Sequence, residues 1–142
     1  MTTRTVSGQT YNYAYDSENH LTAVSGAAQA QFKYNGDGQR VVAIEGSTTT
    51  VFVGNYFEWK VNNSQVTKYY YAGSTRVAMQ RGSEGVKYLL GDHLSSTSVI
   101  LNADGTWGGN QGYRPWGEVR FTEGTISTEY TFTGQYSDSY IK

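Results

Sequence analysis

The sequence predicts an all-β chain, an antiparallel meander of successive hairpins, and three observations predict it. Tyr11-Asn12-Tyr13-Ala14-Tyr15-Asp16 leading to Leu21-Thr22-Ala23-Val24 is roughly copied by Gln31-Phe32-Lys33-Tyr34-Asn35 leading to Arg40-Val41-Val42-Ala43-Ile44. Tyr15 and Tyr34 lie 19 positions apart, and each closes an alternating run before a polar turn and a second run, so one unit is a hairpin of about 20 residues. Tyrosine occurs 13 times with frequent threonine and valine, and helical periodicity is missing, which favours strands. The 17 glycines fall between the runs, and the one proline argues against a disordered linker.

Along the chain, apolar and polar residues alternate in Phe32–Tyr34, Val51–Val53, Tyr56–Val61, Val66–Tyr71 and Val77–Met79, the pattern of strands with one wetter face. Turn chemistry separates them: Asn35-Gly36-Asp37-Gly38, Gly54-Asn55, Asn62-Asn63-Ser64, Ala72-Gly73-Ser74, Gly82-Ser83-Glu84-Gly85 and Asn102-Ala103-Asp104-Gly105. Each supplies a residue that tolerates positive φ and closes a tight turn. Short connections place successive strands side by side, giving about 11 to 13 strands in chain order. A lone hairpin cannot bury its own face, so these units need neighbours. No boundary interrupts residues 1–142, which are expected to form a single domain with repeat hairpins over 5–46 and further hairpins over 47–85.

Net charge of −1 with 16% charged residues leaves no basic excess for nucleic acid. With no cysteine the chain has no disulfide, thiol nucleophile or thiolate metal site. No apolar run approaches the roughly 18 residues of a membrane helix, and Met1-Thr2-Thr3-Arg4 begins no secretory signal.

The second half carries Leu90-Gly91-Asp92-His93-Leu94-Ser95-Ser96-Thr97, then Pro115-Trp116-Gly117-Glu118-Val119-Arg120, then Tyr130-Thr131-Phe132-Thr133-Gly134-Gln135. Together with the Tyr-x-Tyr-Asp hairpins, and in this order, these segments resemble the Rhs/YD-repeat proteins, residues 86–142 matching the start of their associated core region. The residues that carry the resemblance are Tyr13, Tyr15, Asp16, Tyr34, Gly38, Gly91, Asp92, His93, Leu94, Pro115, Gly117, Glu118, Phe132, Gly134 and Gln135. The resemblance implies a structural role. Long antiparallel sheets in this family coil into a spiral shell that encloses a C-terminal toxin in bacterial polymorphic toxins and insecticidal Tc complexes, and animal teneurins use a related shell. It implies a bacterial protein at the cell surface or secreted, partnered by neighbouring repeats and its own toxin domain. The chain departs where the family has Gly at Ser95 and where Asn35 stands in the place of Asp16. It stops at Tyr140-Ile141-Lys142, ahead of the family's self-cleavage region, so it reads as a fragment carrying neither that site nor a toxin.

Chemical readings are weaker than structural ones. Asp92, His93, Ser95, Ser96 and Ser98 hold the residue types of an acid, a base and a nucleophile, but neighbours on a strand face opposite ways, and a triad is recognised by geometry. Asp92 is better read as satisfying backbone donors in a turn. His20 and His93 alone do not make a zinc site, and Asp37-Gly38 and Asp104-Gly105 lack the alternating oxygens of a calcium loop. Glu118, Glu123 and Glu129 have no spacing that defines a glycosidase cleft. We therefore expect no catalytic residue, no metal, no cofactor and no enzyme. Tyr11, Trp59, Trp107 and Trp116 are candidates for stacking on a glycan, against the commoner role of cross-strand packing. Unpaired sheet edges would favour self-association.

Overall fold

The computed structural model describes residues 2–138; the chain end Tyr140–Lys142 lies outside the described residues. The fold is an all-β antiparallel meander whose strand order is the chain order. Residues 2–66 and Thr67–Asp138 form two compact units. The first holds β1 (Thr3–Val6), β2 (Gln9–Tyr15), β3 (Leu21–Gly26), β4 (Ala30–Tyr34), β5 (Arg40–Glu45), β6 (Thr48–Val53) and β7 (Phe57–Lys60). Then follow β8 (Gln65–Ala72), β9 (Thr75–Arg81), β10 (Lys87–Gly91), β11 (Thr97–Leu101), β12 (Trp107–Tyr113) and β13 (Val119–Gly124). Short 3-10 turns occupy Val61–Asn63 and Phe132–Gly134.

Register explains the first unit's core. Val24 faces Ala30, Phe32 faces Ala43, Ala43 faces Thr50 and Phe52 faces Glu58, and all of these are buried. They share one side because the side-chain period of a strand is two. The Arg40 guanidinium lies 5.2 Å from the Phe32 ring centre and 5.1 Å from that of Phe52, so a cation caps the apolar row. The strand expected over Tyr56–Val61 is shorter, and its wetter face is the unexpected one: Glu58 is buried and Trp59 faces outward.

In the second unit Tyr69 faces Met79 and Leu89 faces Ile100. The chain after β13 returns Tyr130 to the same cluster, with Tyr71, Ile126 and Tyr136 packed against it. Met79 and Ile100 have no exposed surface, and burying such a side chain contributes about 1.5–3 kcal/mol. Arg76 is set among three tyrosines, 3.4 Å from the centre of Tyr130, 5.1 Å from Tyr69 and 5.4 Å from Tyr71.

Candidate functional site

The family-motif residues converge on one local device, a five-residue loop that recurs at Asp16–His20, Asn35–Gln39, Asp92–Ser96, Asn102–Thr106, Arg114–Glu118 and Thr131–Gln135. In each, the first N–H donates to the fifth carbonyl and the fourth N–H donates to the first carbonyl, at 2.7–3.2 Å. The fourth residue is left-handed, with φ of 64–88° at Asn19, Gly38, Ser95, Gly105, Gly117 and Gly134. A tight turn with a left-handed fourth residue displaces the register by one, and the ladders slip beside the loops, as at Ala14/Tyr15, Lys33/Tyr34 and Leu90/Gly91.

Three loops are held by their first side chain. Asp16 Oδ1 accepts the N–H of Glu18 at 3.0 Å and of His20 at 2.8 Å. Asn35 Oδ1 accepts those of Asp37 at 3.1 Å and Gln39 at 2.9 Å, and Asp92 Oδ1 those of Leu94 at 2.8 Å and Ser96 at 2.9 Å. An amide oxygen serves as well as a carboxylate, which is why Asn35 stands in the place of Asp16. The His20 N–H, more than any other group, holds the Asp16 carboxyl below its usual range. At Asp92 burial pushes upward, but the N–H groups of Ser96 and Leu94 together carry it below the usual value.

At two of the loops the tyrosine just ahead ties the loop to the adjacent hairpin. Tyr34 Oη donates to the Leu21 carbonyl at 2.8 Å, and Tyr113 Oη donates to the Thr97 carbonyl at 2.9 Å. Leu21 and Thr97 each follow directly on a preceding five-residue loop, so the two contacts are equivalent. Burial raises both phenol pKa values. The His20 ring stacks on Tyr34 with centres 4.7 Å apart, and a Cβ at Gly38 would lie 2.8 Å from His20 Nε2. Gly117 similarly leaves room for the Phe132 ring, 2.8 Å from where its Cβ would stand, and Phe132 packs against Tyr113. Tyr13 is half-buried opposite Val24. Tyr15, Leu94, Pro115 and Gln135 are exposed, as is His93.

Of the residues considered for a triad, Asp92, His93, Ser95 and Ser96 lie on the loop, where Asp92 accepts backbone N–H groups, and Ser98 lies on β11. Their polar atoms serve the backbone: Ser96 Oγ accepts the Thr133 N–H at 3.0 Å, and Ser98 Oγ donates to the Ser96 carbonyl at 3.3 Å. Glu118 approaches Arg114 and Glu129 approaches Arg81, so these two carboxylates have separate basic partners. Among the described residues no group of three or more His, Cys, Asp or Glu could hold a metal, and no helix is long and apolar enough to cross a membrane.

The candidate stacking aromatics divide sharply. Tyr11 is corrected: it is only 4% exposed, because its side of β2 packs into the core, and it has no open face for a sugar. Trp59 is outward-facing, Trp116 is 93% exposed at the tip of the Arg114 loop, and Trp107 is 54% exposed. Trp107 lines a cleft of about 270 Å³ with Glu84, Lys87, Asn102 and Gly108. Sequence reasoning missed this grouping, since nothing in the spacing of residues 84, 87, 102 and 107 brings them together; the β9–β10–β11–β12 ladders do.

No family model matches the chain, and no curated protein matches it. Solved structures do. The chain aligns with a crystal structure of TcdB2-TccC3-Cdc42 at a TM-score of 0.75 and 16% identity, over 94% of this chain and 8% of that one. It aligns with the Photorhabdus luminescens Tc holotoxin pore carrying a TccC3 mutation at 0.76 and 14%, over 96% and 8%, and with TcdB2-TccC3 at 0.74 and 14%, over 95% and 8%. The chain thus spans a small part of the chains it matches. The hairpin motifs and the coordinates agree on the architecture: the chain has the fold of a segment of these Tc toxin assemblies.

Proposed function

We propose that the chain is a non-enzymatic wall segment of an Rhs/YD-repeat β-shell, whose parent protein wraps a C-terminal toxin or effector domain. The observation that supports this reading is the match of over nine-tenths of the chain to segments of Tc toxin assemblies. The loops fit a wall: the oxygens of Asp16, Asn35 and Asp92 hold backbone N–H groups, and Tyr34 and Tyr113 join hairpin to hairpin. These contacts hold the sheet together. The parent acts outside the bacterium that makes it, and its partners are the neighbouring repeats and the enclosed domain.

Limited proteolysis of the parent tests the reading. The C-terminal domain should survive while the repeat region is intact and be digested after the segment corresponding to this chain is deleted. Digestion at the same rate with and without the segment would overturn it. Unpaired strand edges recruit other strands, so the isolated chain should self-associate, and light scattering that reports a monomer across a concentration series would count against edge exposure.

A further inference from the structure

In five of the six loops a side-chain oxygen meets the third N–H, the fifth or both. In the Asp16, Asn35 and Asp92 loops a single Oδ1 sits between the two, at 2.8–3.1 Å. In the Asn102 loop Asp104 Oδ1 takes the fifth N–H, that of Thr106, at 3.0 Å. In the Thr131 loop the third N–H, that of Thr133, reaches outside the loop to Ser96 Oγ at 3.0 Å, and the fifth, that of Gln135, turns to the Phe132 carbonyl at 3.0 Å. The Arg114 loop closes with the same two backbone bonds, Arg114 N–H to the Glu118 carbonyl at 2.7 Å and Gly117 N–H to the Arg114 carbonyl at 2.9 Å. Its first residue carries no acceptor, and among the described residues no oxygen of the chain accepts from the Trp116 or Glu118 N–H.

That pair of N–H groups is held in place. Gly117 has φ of 88°, the Phe132 ring stands 2.8 Å from where its Cβ would be, and Tyr113, just ahead of the loop, is bonded to the Thr97 carbonyl at 2.9 Å. Preformed backbone N–H groups in a turn make a seat for an anion, and the chain itself fills that seat with a carboxylate at Asp16 and Asp92. Both titrate below the ordinary 3.8 there, through the His20 N–H above all at Asp16 and, against the upward push of burial, through the Ser96 and Leu94 N–H groups at Asp92. Beside the seat Arg114 Nε stands 3.9 Å from Glu118 Oε2, both side chains being largely exposed, and Trp116 is the most exposed of the large apolar residues.

We propose that the Arg114 loop docks an acidic segment of a partner polypeptide, seating one side-chain carboxylate on the Trp116 and Glu118 N–H groups as Asp16 and Asp92 seat theirs. One oxygen of the incoming group lies between the two N–H groups, and the other accepts from the Arg114 guanidinium. The Trp116 indole offers an apolar surface to the residue next to it. Glu118 offsets the charge of Arg114, so the loop favours a singly charged group over phosphate. The bond from Thr133 N–H to Ser96 Oγ shows the same kind of loop accepting an oxygen from another segment. The site uses only residues of the second unit and does not rest on the shell reading.

Amide NMR of the isotope-labelled chain at pH 7, titrated with N-acetylaspartic acid α-amide, tests this, because the only charge on that compound is the side-chain carboxylate. The Trp116 and Glu118 amide signals should shift and saturate, while the asparagine analogue leaves them in place and inorganic phosphate at equal ionic strength binds about threefold or more weakly. Arg114→Asn gives the loop an oxygen of its own, as Asn35 does. It should abolish the saturable shift and raise the thermal midpoint by about 2–4 °C. Arg114→Ala keeps the N–H pair without the guanidinium and should weaken binding about threefold to tenfold, whereas Glu118→Gln removes a neighbouring anion and should tighten it about threefold. No saturable shift at the two amides, an equal response to the asparagine analogue or to phosphate, or undiminished binding in Arg114→Asn or Arg114→Ala would overturn the proposal.

Discussion

The Tyr34 hydroxyl reaches across to the Leu21 carbonyl at 2.8 Å, and this bond joins two successive hairpins beside the stack of the His20 and Tyr34 rings. Its twin is Tyr113 to Thr97 at 2.9 Å, so at both places a tyrosine acts as a cross-hairpin tie. Tyr34→Phe and Tyr113→Phe keep the ring and remove the donor, leaving a part-buried carbonyl. Each should cost about 1 kcal/mol, read as a lower urea midpoint with unchanged slope.

The same two phenols set an alkaline limit. Burial raises both from the ordinary 10.0, because a buried tyrosinate is disfavoured. The unfolded chain therefore loses these protons first. Their contribution is complete below about pH 10 and disappears as pH climbs through the folded-state values. Urea midpoints measured from pH 9 upward should fall more steeply for the wild type than for Tyr34→Phe/Tyr113→Phe.

On the acid side the sign reverses. Asp16, Asp92 and Asp104 all titrate below the ordinary 3.8 in the folded chain, chiefly through the His20 N–H at Asp16 and the Thr106 hydroxyl at Asp104. Their stabilisation is present above that value and is lost as pH falls through the folded ones. Asp92→Asn keeps an acceptor for Leu94 and Ser96, as Asn35 does in its own loop. It should fold at pH 7 with little loss and show a flatter acid dependence, whereas Asp92→Ala should cost about 1 kcal/mol at pH 7.

The left-handed fourth position predicts opposite effects from two substitutions. Ser95 holds φ of 64°, a conformation that costs an ordinary L-residue about 1–2 kcal/mol. Ser95→Gly relieves it against a smaller entropic cost in the unfolded chain, for a net gain of about 0.5–1 kcal/mol. Gly38→Ala should destabilise by about 1–2 kcal/mol, because φ is 74° and the methyl would meet His20 Nε2 at 2.8 Å. Thermal midpoints should move in opposite directions.

Arg76 fastens the returning segment of the second unit to its sheet. It stacks 3.4 Å from the Tyr130 ring centre, and its Nε donates to Tyr71 Oη at 3.1 Å. Arg76→Met retains bulk and removes the charge and the donor. It should cost about 2 kcal/mol and raise the binding of a hydrophobic dye as Tyr130 loosens.

Much of this was legible in the sequence. Alternation and glycine-bearing turns specify strands and their order, since both are local properties of the chain. The duplicate around Tyr15 and Tyr34 exposes the repeat. What the sequence hid is what depends on neighbours. Glu58 and Trp59 exchange the sides their polarity assigns them, because the register of β6 and β7 sets Glu58 opposite buried Phe52. Tyr11 reads as a candidate platform until the core covers it. Arg114 and Thr131 begin the same loop as Asp16 with no shared residue type, so a search for Tyr-Asp pairs passes over them. The bond from Lys87 to Asn102 joins residues fifteen positions apart, which only the pairing of β10 with β11 brings together.

Because each loop closes on its own backbone and asks of the next ribbon little beyond one carbonyl oxygen, the pattern tolerates wide drift in side chains. That accounts for a shared backbone path at 14–16% identity. It also makes length an easy variable for such proteins to change: a hairpin can be inserted or deleted between two others, and the tiling heals at a single tyrosine.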